Sequence, residues 1–303
     1  MRQVHELIRR IAGRRWMLTG VAVVLLVPVI QVATAGADPI TFNENSTTVP
    51  SKPLQNPPAH NGTVANCPSS HPKMTGGGAA LSRVVDPDIQ LWSTDLIEDN
   101  VWGGVASNVD TGHSVQLTVT ALCAKRGSFS YPEAKKDGDP GVQVAKGVNC
   151  PPGKKLTGGG VDGAPISFSQ KRRGGIPAPE LAASYPEDGP DENSRRDDRW
   201  VGAVGRGDIT VDAVCAKKAG TFKYVHSARE VVPSGVSAGS ATARCPVGTE
   251  VTGGGANITG INPGIEMVVS APDASGEHQN WQAFATNSSG EDQEIQAFAI
   301  CKV

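Results

Sequence analysis

Several short patterns in this 303-residue chain have the residue types and spacing of chemical sites. Gly235-Val236-Ser237-Ala238-Gly239 matches the nucleophile elbow, which needs a strand, a strained turn, a helix and a partnered histidine. Here it lies in a Ser/Gly-rich stretch with no helical pattern after it. Gly158-x-Gly160-x-x-Gly163 has the spacing of a dinucleotide fingerprint, but that signature needs a helix N-terminus to hold pyrophosphate, and none follows. Arg206-Gly207-Asp208 is an adhesion-type tripeptide in a predicted short hairpin. His60, His71, His113, His226 and His278 are scattered, with no paired carboxylate column. Asp137/Asp139 and the acidic run Glu187 to Asp198 could hold Ca²⁺ loosely, without EF-hand spacing. The six cysteines include no Cys-x-x-Cys, and no His sits at ligand spacing beside one, so a metal site is disfavoured. The expectation is therefore no catalytic set, no metal and no cofactor.

What does recur is a set of columns repeated three times. Cys67-Pro68 leads to Met74-Thr75-Gly76-Gly77-Gly78, Cys150-Pro151-Pro152-Gly153 to Leu156-Thr157-Gly158-Gly159-Gly160, and Cys245-Pro246-Val247-Gly248 to Val251-Thr252-Gly253-Gly254-Gly255. Each copy then carries a serine near an apolar strand (Ser93, Ser184, Ser270), a tryptophan (Trp102, Trp200, Trp281) and, six residues later, Asn108, Arg206 or Asn287. Each ends in Ala-x-Cys at Cys123, Cys215 or Cys301. Matched columns at near-constant spacing mean one supersecondary unit used three times.

These columns hold the candidate ligand-binding residues: Trp102, Trp200, Trp281, Asn108, Arg206 and Asn287. Three exposed tryptophans would stack on sugar faces as a trivalent lectin, whereas three symmetric buried ones would form a shared core. Small residues alternate with each tryptophan on its strand face (Gly104/Ala106, Gly202/Val204, Ala283/Ala285) and few other aromatics are present, which favours the core. The Asn/Arg column either binds a ligand's hydroxyls or hydrogen-bonds strand-end backbone.

The elements that must position these residues read as strands. Leu117/Val119/Ala121, Ile209/Val211/Ala213 and Ile295/Ala297/Ala299 alternate before each final cysteine, the period of two of a strand with one face buried. No amphipathic helix is evident after the N-terminal segment, and Gly, Pro, Asn and Asp supply turns. The units are residues 63–125, 141–217 and 236–303. The second carries a loop insertion, residues 165–198, which is the expected place for a specific site unless it is a tolerated flexible insertion. Residues 38–62 are polar and proline-containing and read as a linker. The alternative is that part of them adds a strand to the first copy, since similar stretches precede Cys150 and Cys245.

Residues 1–37 place Arg9, Arg10, Arg14 and Arg15 before an apolar run from Trp16 to about Val32, then Ala35-Gly36-Ala37. That is the order of a signal peptide cleaved before Asp38; the alternative is an uncleaved membrane anchor. Arg14-Arg15-Trp16-Met17-Leu18 resembles a twin-arginine export signal. An exported protein with six cysteines implies disulfides. The within-copy scheme Cys67–Cys123, Cys150–Cys215 and Cys245–Cys301 is favoured over Cys123–Cys150, Cys215–Cys245 and Cys67–Cys301. Each such loop adds roughly 4 kcal/mol by chain entropy. Removing residues 1–37 takes five arginines and one glutamate, leaving 23 basic and 29 acidic residues, a net of −6. An acidic chain argues against nucleic acid, which needs basic surface to displace counterions. Lys171-Arg172-Arg173 and Arg195-Arg196 read as solvated loops. No membrane span is expected after cleavage.

The pattern Cys-Pro-x-Gly … Thr-Gly-Gly-Gly … Ser-x-Pro … Trp … Asn … Ala-x-Cys resembles a group of uncharacterised secreted repeat proteins of actinomycetes over roughly residues 60–303. Copy one departs from it with Ser69-Ser70 for Pro-Gly and Asp95 after Ser93, and copy two with Arg206 for Asn. A three-fold β unit also resembles, in architecture, the β-prism of vitelline membrane outer layer protein and jacalin-type lectins. The resemblance implies an all-β, three-fold pseudo-symmetric prism of three antiparallel sheets, with three small β domains in tandem as the rival. The functional expectation is a secreted, non-catalytic binder of carbohydrate or cell-envelope polymer, or a structural surface component. The alternatives are a protein-binding module (inhibitor or adhesin) and a hydrolase with its site in the insertion.

Overall fold

Alternating apolar residues and glycine-rich turns give twenty strands and no helix among the described residues. The structure is a computed structural model; it describes residues 39–51, 60–82, 89–108, 112–138, 142–164, 180–188, 197–205, 207–217, 221–235, 237–259, 264–273 and 279–303. The first repeat gives β1 (Thr41–Val49), β2 (His60–Asn66), β3 (Lys73–Leu81), β4 (Ile89–Glu98), β5 (Val101–Asn108) and β6 (Val115–Ala124). The second gives β7 (Phe129–Ser130), β8 (Glu133–Lys136), β9 (Val144–Asn149), β10 (Lys154–Ala164), β11 (Leu181–Glu187), β12 (Arg199–Val204) and β13 (Asp208–Lys217). The third gives β14 (Phe222–His226), β15 (Glu230–Val232), β16 (Ser237–Arg244), β17 (Glu250–Thr259), β18 (Ile265–Pro272), β19 (Asn280–Asn287) and β20 (Gln293–Lys302).

No repeat forms a sheet of its own. Sheet one runs β1-β6-β3-β18-β19-β16, sheet two β2-β5-β4-β10-β13 with β7 and β8 at its edge, and sheet three β14/β15-β20-β17-β11-β12-β9. Every sheet joins half of one repeat to half of another, and all pairings are antiparallel. The three sheets form a pseudo-symmetric prism, and this interleaving rules out three small domains in series.

The Thr-Gly-Gly-Gly motif builds the centre. A bulge lies at each threonine, between Met74 and Gly76, Leu156 and Gly158, and Val251 and Gly253. The Thr75 hydroxyl lies 3.0 Å from the Thr252 carbonyl, and that of Thr252 lies 3.2 Å from the Thr157 carbonyl. The first glycines meet here, and only glycine fits: a Cβ on Gly76 would lie 2.7 Å from the Thr252 oxygen and one on Gly253 2.3 Å from the Thr157 oxygen. The second glycine of each triplet is the seat of a tryptophan. A Cβ on Gly77, Gly159 or Gly254 would lie within 2.3–2.4 Å of the Trp102, Trp200 or Trp281 ring. Each ring crosses from one sheet onto the neighbouring sheet of its own repeat, burying its large apolar surface.

Disulfides brace the same junctions. Cys67–Cys123, Cys150–Cys215 and Cys245–Cys301 tie the ends of β2, β9 and β16 to the last strand of each repeat, in the adjoining sheet, across Cα separations of 5.6, 5.7 and 5.6 Å. The turn after each first cysteine closes by Pro68–His71, Pro151–Lys154 and Pro246–Thr249 backbone bonds. Gly153 and Gly248 take φ of +76° and +81° there; copy one makes the turn with Ser70 and one additional residue.

The linker expectation for residues 38–62 is corrected. Thr41–Val49 pairs with β6 along its length. Its counterparts are β7/β8 on β13 and β14/β15 on β20, so each repeat begins earlier than the sequence reading set it. β1 and β8 are polar and largely exposed, and β7 and β15 are only 2 and 3 residues long, so no sustained apolar alternation marks them, whereas Phe222 and Tyr224 of β14 do alternate and pack against the core. They also lock neighbours: Ile40 N–H donates to Glu250 Oε2 at 3.0 Å, Tyr131 O–H to the Met74 carbonyl at 3.4 Å and Tyr224 O–H to the Leu156 carbonyl at 2.8 Å. Asparagine amides stitch the corner between β1 and β2, with Asn43 donating to Asn66 O and Asn45 to Val64 O.

The insertion is corrected as well. Residues 181–187 inside it form β11, a core strand of sheet three. Residues 165–179 and 189–196, with Lys171-Arg172-Arg173 and Arg195-Arg196, lie outside the described residues, as do the signal segment, Asp139, Arg206, Val236 and His278. Among the described residues no helix is long and apolar enough to cross a membrane.

Candidate functional site

Five of the six residues singled out as ligand candidates are structural, and the sixth, Arg206, lies outside the described residues. Trp102, Trp200 and Trp281 are 0%, 0% and 1% exposed, which removes them as platforms for sugar. Their indole N–H groups donate to Thr94, Ser184 and Ser270 hydroxyls at 3.0, 3.1 and 3.2 Å. The hydroxyl column is therefore Thr94, not Ser93. In register, Thr94 faces Val161 as Ser184 faces Ala256 and Ser270 faces Ala79. Asn108 and Asn287 are buried. The Asn108 side chain donates to the Val49 and His113 carbonyls, and that of Asn287 to the Val232 and Glu291 carbonyls. Each amide ties an edge strand to a hairpin, so neither is offered to a ligand. In copy two Asp208 accepts the Gly138 N–H at 2.9 Å, which engages the carboxylate of the adhesion-like tripeptide within the fold. Ser237 opens β16, so a strand follows the elbow-like pattern where catalysis would need a helix.

With interior positions committed to the core, outward positions are where the repeats are free to differ. Four equivalent outward positions cross each sheet. On sheet one they are Ala271, Ala80, Thr120 and Glu44; on sheet two Asp95, Asp162, Asp212 and Glu133; on sheet three Tyr185, Asn257, Phe298 and His226.

Sheet two carries carboxyls. Asp95 and Asp212 are 6% and 4% exposed. Burial, reinforced by the charge of Asp162, pushes Asp95 up to about 7 against the Ser93 hydrogen bond, which lowers it. Burial, then Asp95, Glu133 and Asp162, push Asp212 up to about 8, opposed by Lys135. Burial also raises Asp162. This column holds protons near neutrality, the property of a general acid, but neither described cleft opens onto it. Among the described residues no group of three or more His, Cys, Asp or Glu is placed to hold a metal.

Sheet three carries rings and an open cleft. Tyr185 stacks on Phe298 with centroids 5.2 Å apart, and His226 packs on the other side at 6.1 Å. Beside Tyr185 lies a cleft of about 620 Å³, lined by Tyr185 and Glu187 of β11, Arg199 and Val201 of β12, residues 145–147 of β9, and Lys136 of β8. Gly147 makes room for the Arg199 side chain: a Cβ there would lie 2.3 Å from Nε. Arg199 Nη1 is 3.3 Å from Glu187. A smaller cleft of about 280 Å³ lies by Cys150, Pro151 and Gly153, where Lys155 pairs with Asp197 at 2.7 Å.

No protein-family model and no curated protein sequence matches this chain.

Neither the carboxyl column nor the cleft stood out in the sequence, because both lie at positions where the repeats differ. The available signal was the departure at Asp95 and the charged period-two partners Glu187 and Arg199 flanking a core strand pair.

Proposed function

We propose that the protein is exported and acts without catalysis, binding an extracellular glycan or cell-envelope polymer on the outer face of sheet three. The observation that carries this reading is the Tyr185 cleft. It offers an aromatic face beside fixed polar groups, the chemistry by which proteins grip sugars, on a scaffold fixed by three disulfides. Export is supported by the basic–apolar–small order of residues 1–37 and by disulfides, which persist in oxidising compartments. The likeness to secreted actinomycete repeat proteins belongs to the same proposal.

The experiment is co-sedimentation of the purified protein with insoluble cell-wall glycans, with soluble-sugar competition. Competable pelleting that Tyr185→Ala abolishes supports the reading. Absence of pelleting with every glycan overturns it. The buried carboxyl column favours a second reading, a hydrolase, because raised carboxyl pKa values are what acid catalysis uses. Glycan turnover lost in Asp95→Asn and Asp212→Asn would put that reading first.

A further inference from the structure

The glycan-binding reading leaves open what kind of glycan the sheet-three cleft would take. Three cationic side chains line it, Arg199, Lys136 and Lys146, against one carboxylate, Glu187. This is not the background of the chain, whose net charge is −2. Arg199 is pre-set rather than waving in solvent. Its guanidinium lies over Gly147, with Nε and Nη2 at 2.3 and 2.5 Å from where a Cβ would stand, so another residue at 147 would displace it. Its Nε is shielded from solvent and makes no hydrogen bond among the described residues. Glu187 holds the guanidinium at Nη1. Lys136 arrives from the edge of sheet two; its Nζ donates to the Ala145 carbonyl at 3.4 Å across the prism corner, placing a second cation at the cleft mouth.

Spacing connects these cations to the ring. Tyr185 pairs with Val201, and Glu187 with Arg199, so Tyr185 and Arg199 are diagonal neighbours, roughly 7 Å apart. A charge-assisted hydrogen bond reaches about 2.8 Å beyond a sugar's C6 carboxylate, so a ring over Tyr185 brings that carboxylate within reach of the Arg199 guanidinium. A planar guanidinium fork matches a carboxylate bidentately. We infer that the cleft takes a uronate-bearing polysaccharide, its ring over Tyr185 and its carboxylate between Arg199 and the lysines, Lys136 and Lys146. This rests on the glycan-binding reading.

The test is calorimetric titration of the purified protein with polygalacturonate, a neutral galactan and a wall teichoic acid. Polygalacturonate should bind, and binding should weaken with added salt as expected for charge contacts. Arg199→Gln and Lys136→Gln should each lower affinity about tenfold, with the far-ultraviolet spectrum and melting temperature unchanged. Arg229→Gln, whose guanidinium pairs with Glu294 elsewhere on the sheet, should bind as the parent does. Lys136 is exposed, so its variant tests the site even if Arg199→Gln disturbs folding. Equal binding of galactan and polygalacturonate overturns the charge inference while leaving the glycan reading standing. Preference for teichoic acid overturns the carboxylate assignment. Polygalacturonate binding indifferent to both substitutions overturns the cleft as its site, and no binding to any of the three overturns the glycan reading itself.

Discussion

The outer faces of sheets two and three occupy equivalent places in one pseudo-symmetric prism, yet one presents Asp95, Asp162 and Asp212 and the other Tyr185, Asn257 and Phe298. Behind both faces the interior is the same: a tryptophan seated on a glycine, a hydroxyl capping the indole, and a disulfide joining two sheets. The lesson is a division of labour. Inward positions are held by contacts between repeats, where one added methyl would meet backbone. Outward positions answer to solvent and neighbours on one face only, so one face could become acidic and the other aromatic and cationic without disturbing the axis.

The largest effects should come from breaking what the two faces share. Trp102→Ala, Trp200→Ala and Trp281→Ala should each lose roughly 3–5 kcal/mol of stability, read by urea denaturation. One repeat tolerating the change would mean that the interior is less symmetric than its geometry. Replacing Cys150 and Cys215 together by alanine should lose roughly 2–5 kcal/mol, and the same pairwise change in the other two repeats should match it, since the closed loops are of 65, 56 and 56 residues.

The next effect separates the faces by pH. Asp95 and Asp212 have folded-state pKa values raised to about 7 and 8 from 3.8. The folded protein therefore holds protons that the unfolded chain has released, and stability falls as pH rises. The contribution is fully present below about pH 4 and is lost as pH passes through 7 to 8. The groups facing the pair are Ser93 on β4, Asp162 on β10, and Glu133 and Lys135 on β8, which bond to each other at 3.1 Å. Asp212→Asn should flatten the decline and gain on the order of 2 kcal/mol at pH 9, measured as denaturation midpoint against pH. A variant whose pH profile overlays that of the parent would show that the column does not hold the proton.

How much of this was legible follows the same division. The repeat, the cysteine pairing and the alternating strands could be read because they recur. The hydroxyl column was misaligned by one residue: β4 pairs with β5 through bulges at Leu91/Ser93 and Leu96/Glu98, while β18 bulges only at Met267/Val269. The neighbouring Ser93 and Thr94 made the slip invisible. Edge strand β1 matches the alternative reading of residues 38–62, while β7/β8 and β14/β15 are too short to declare themselves, and what makes them all strands is their pairing with the last strand of each repeat. The outer faces are hidden in the sequence because their positions do not recur between the repeats, and Asp162 and Asp212 become neighbours of Asp95 only when β10 pairs with both β4 and β13.

The smallest expected effect sharpens the distinction between holding the fold and meeting a ligand. Arg199–Glu187 and Arg229–Glu294 are both partly exposed ion pairs at 3.3 Å on sheet three. Exposed pairs contribute only about 0.2–1 kcal/mol, because water screens the charges and two long side chains lose freedom. Double-mutant cycles on the two pairs, Arg199→Gln with Glu187→Gln and Arg229→Gln with Glu294→Gln, should thus give coupling energies below about 1 kcal/mol in stability. In ligand affinity they should part company, with only the Arg199 pair registering. Coupling well above that bound at Arg199–Glu187 would instead make the pair a brace between β11 and β12, and the seat cut for it at Gly147 a feature of the fold alone.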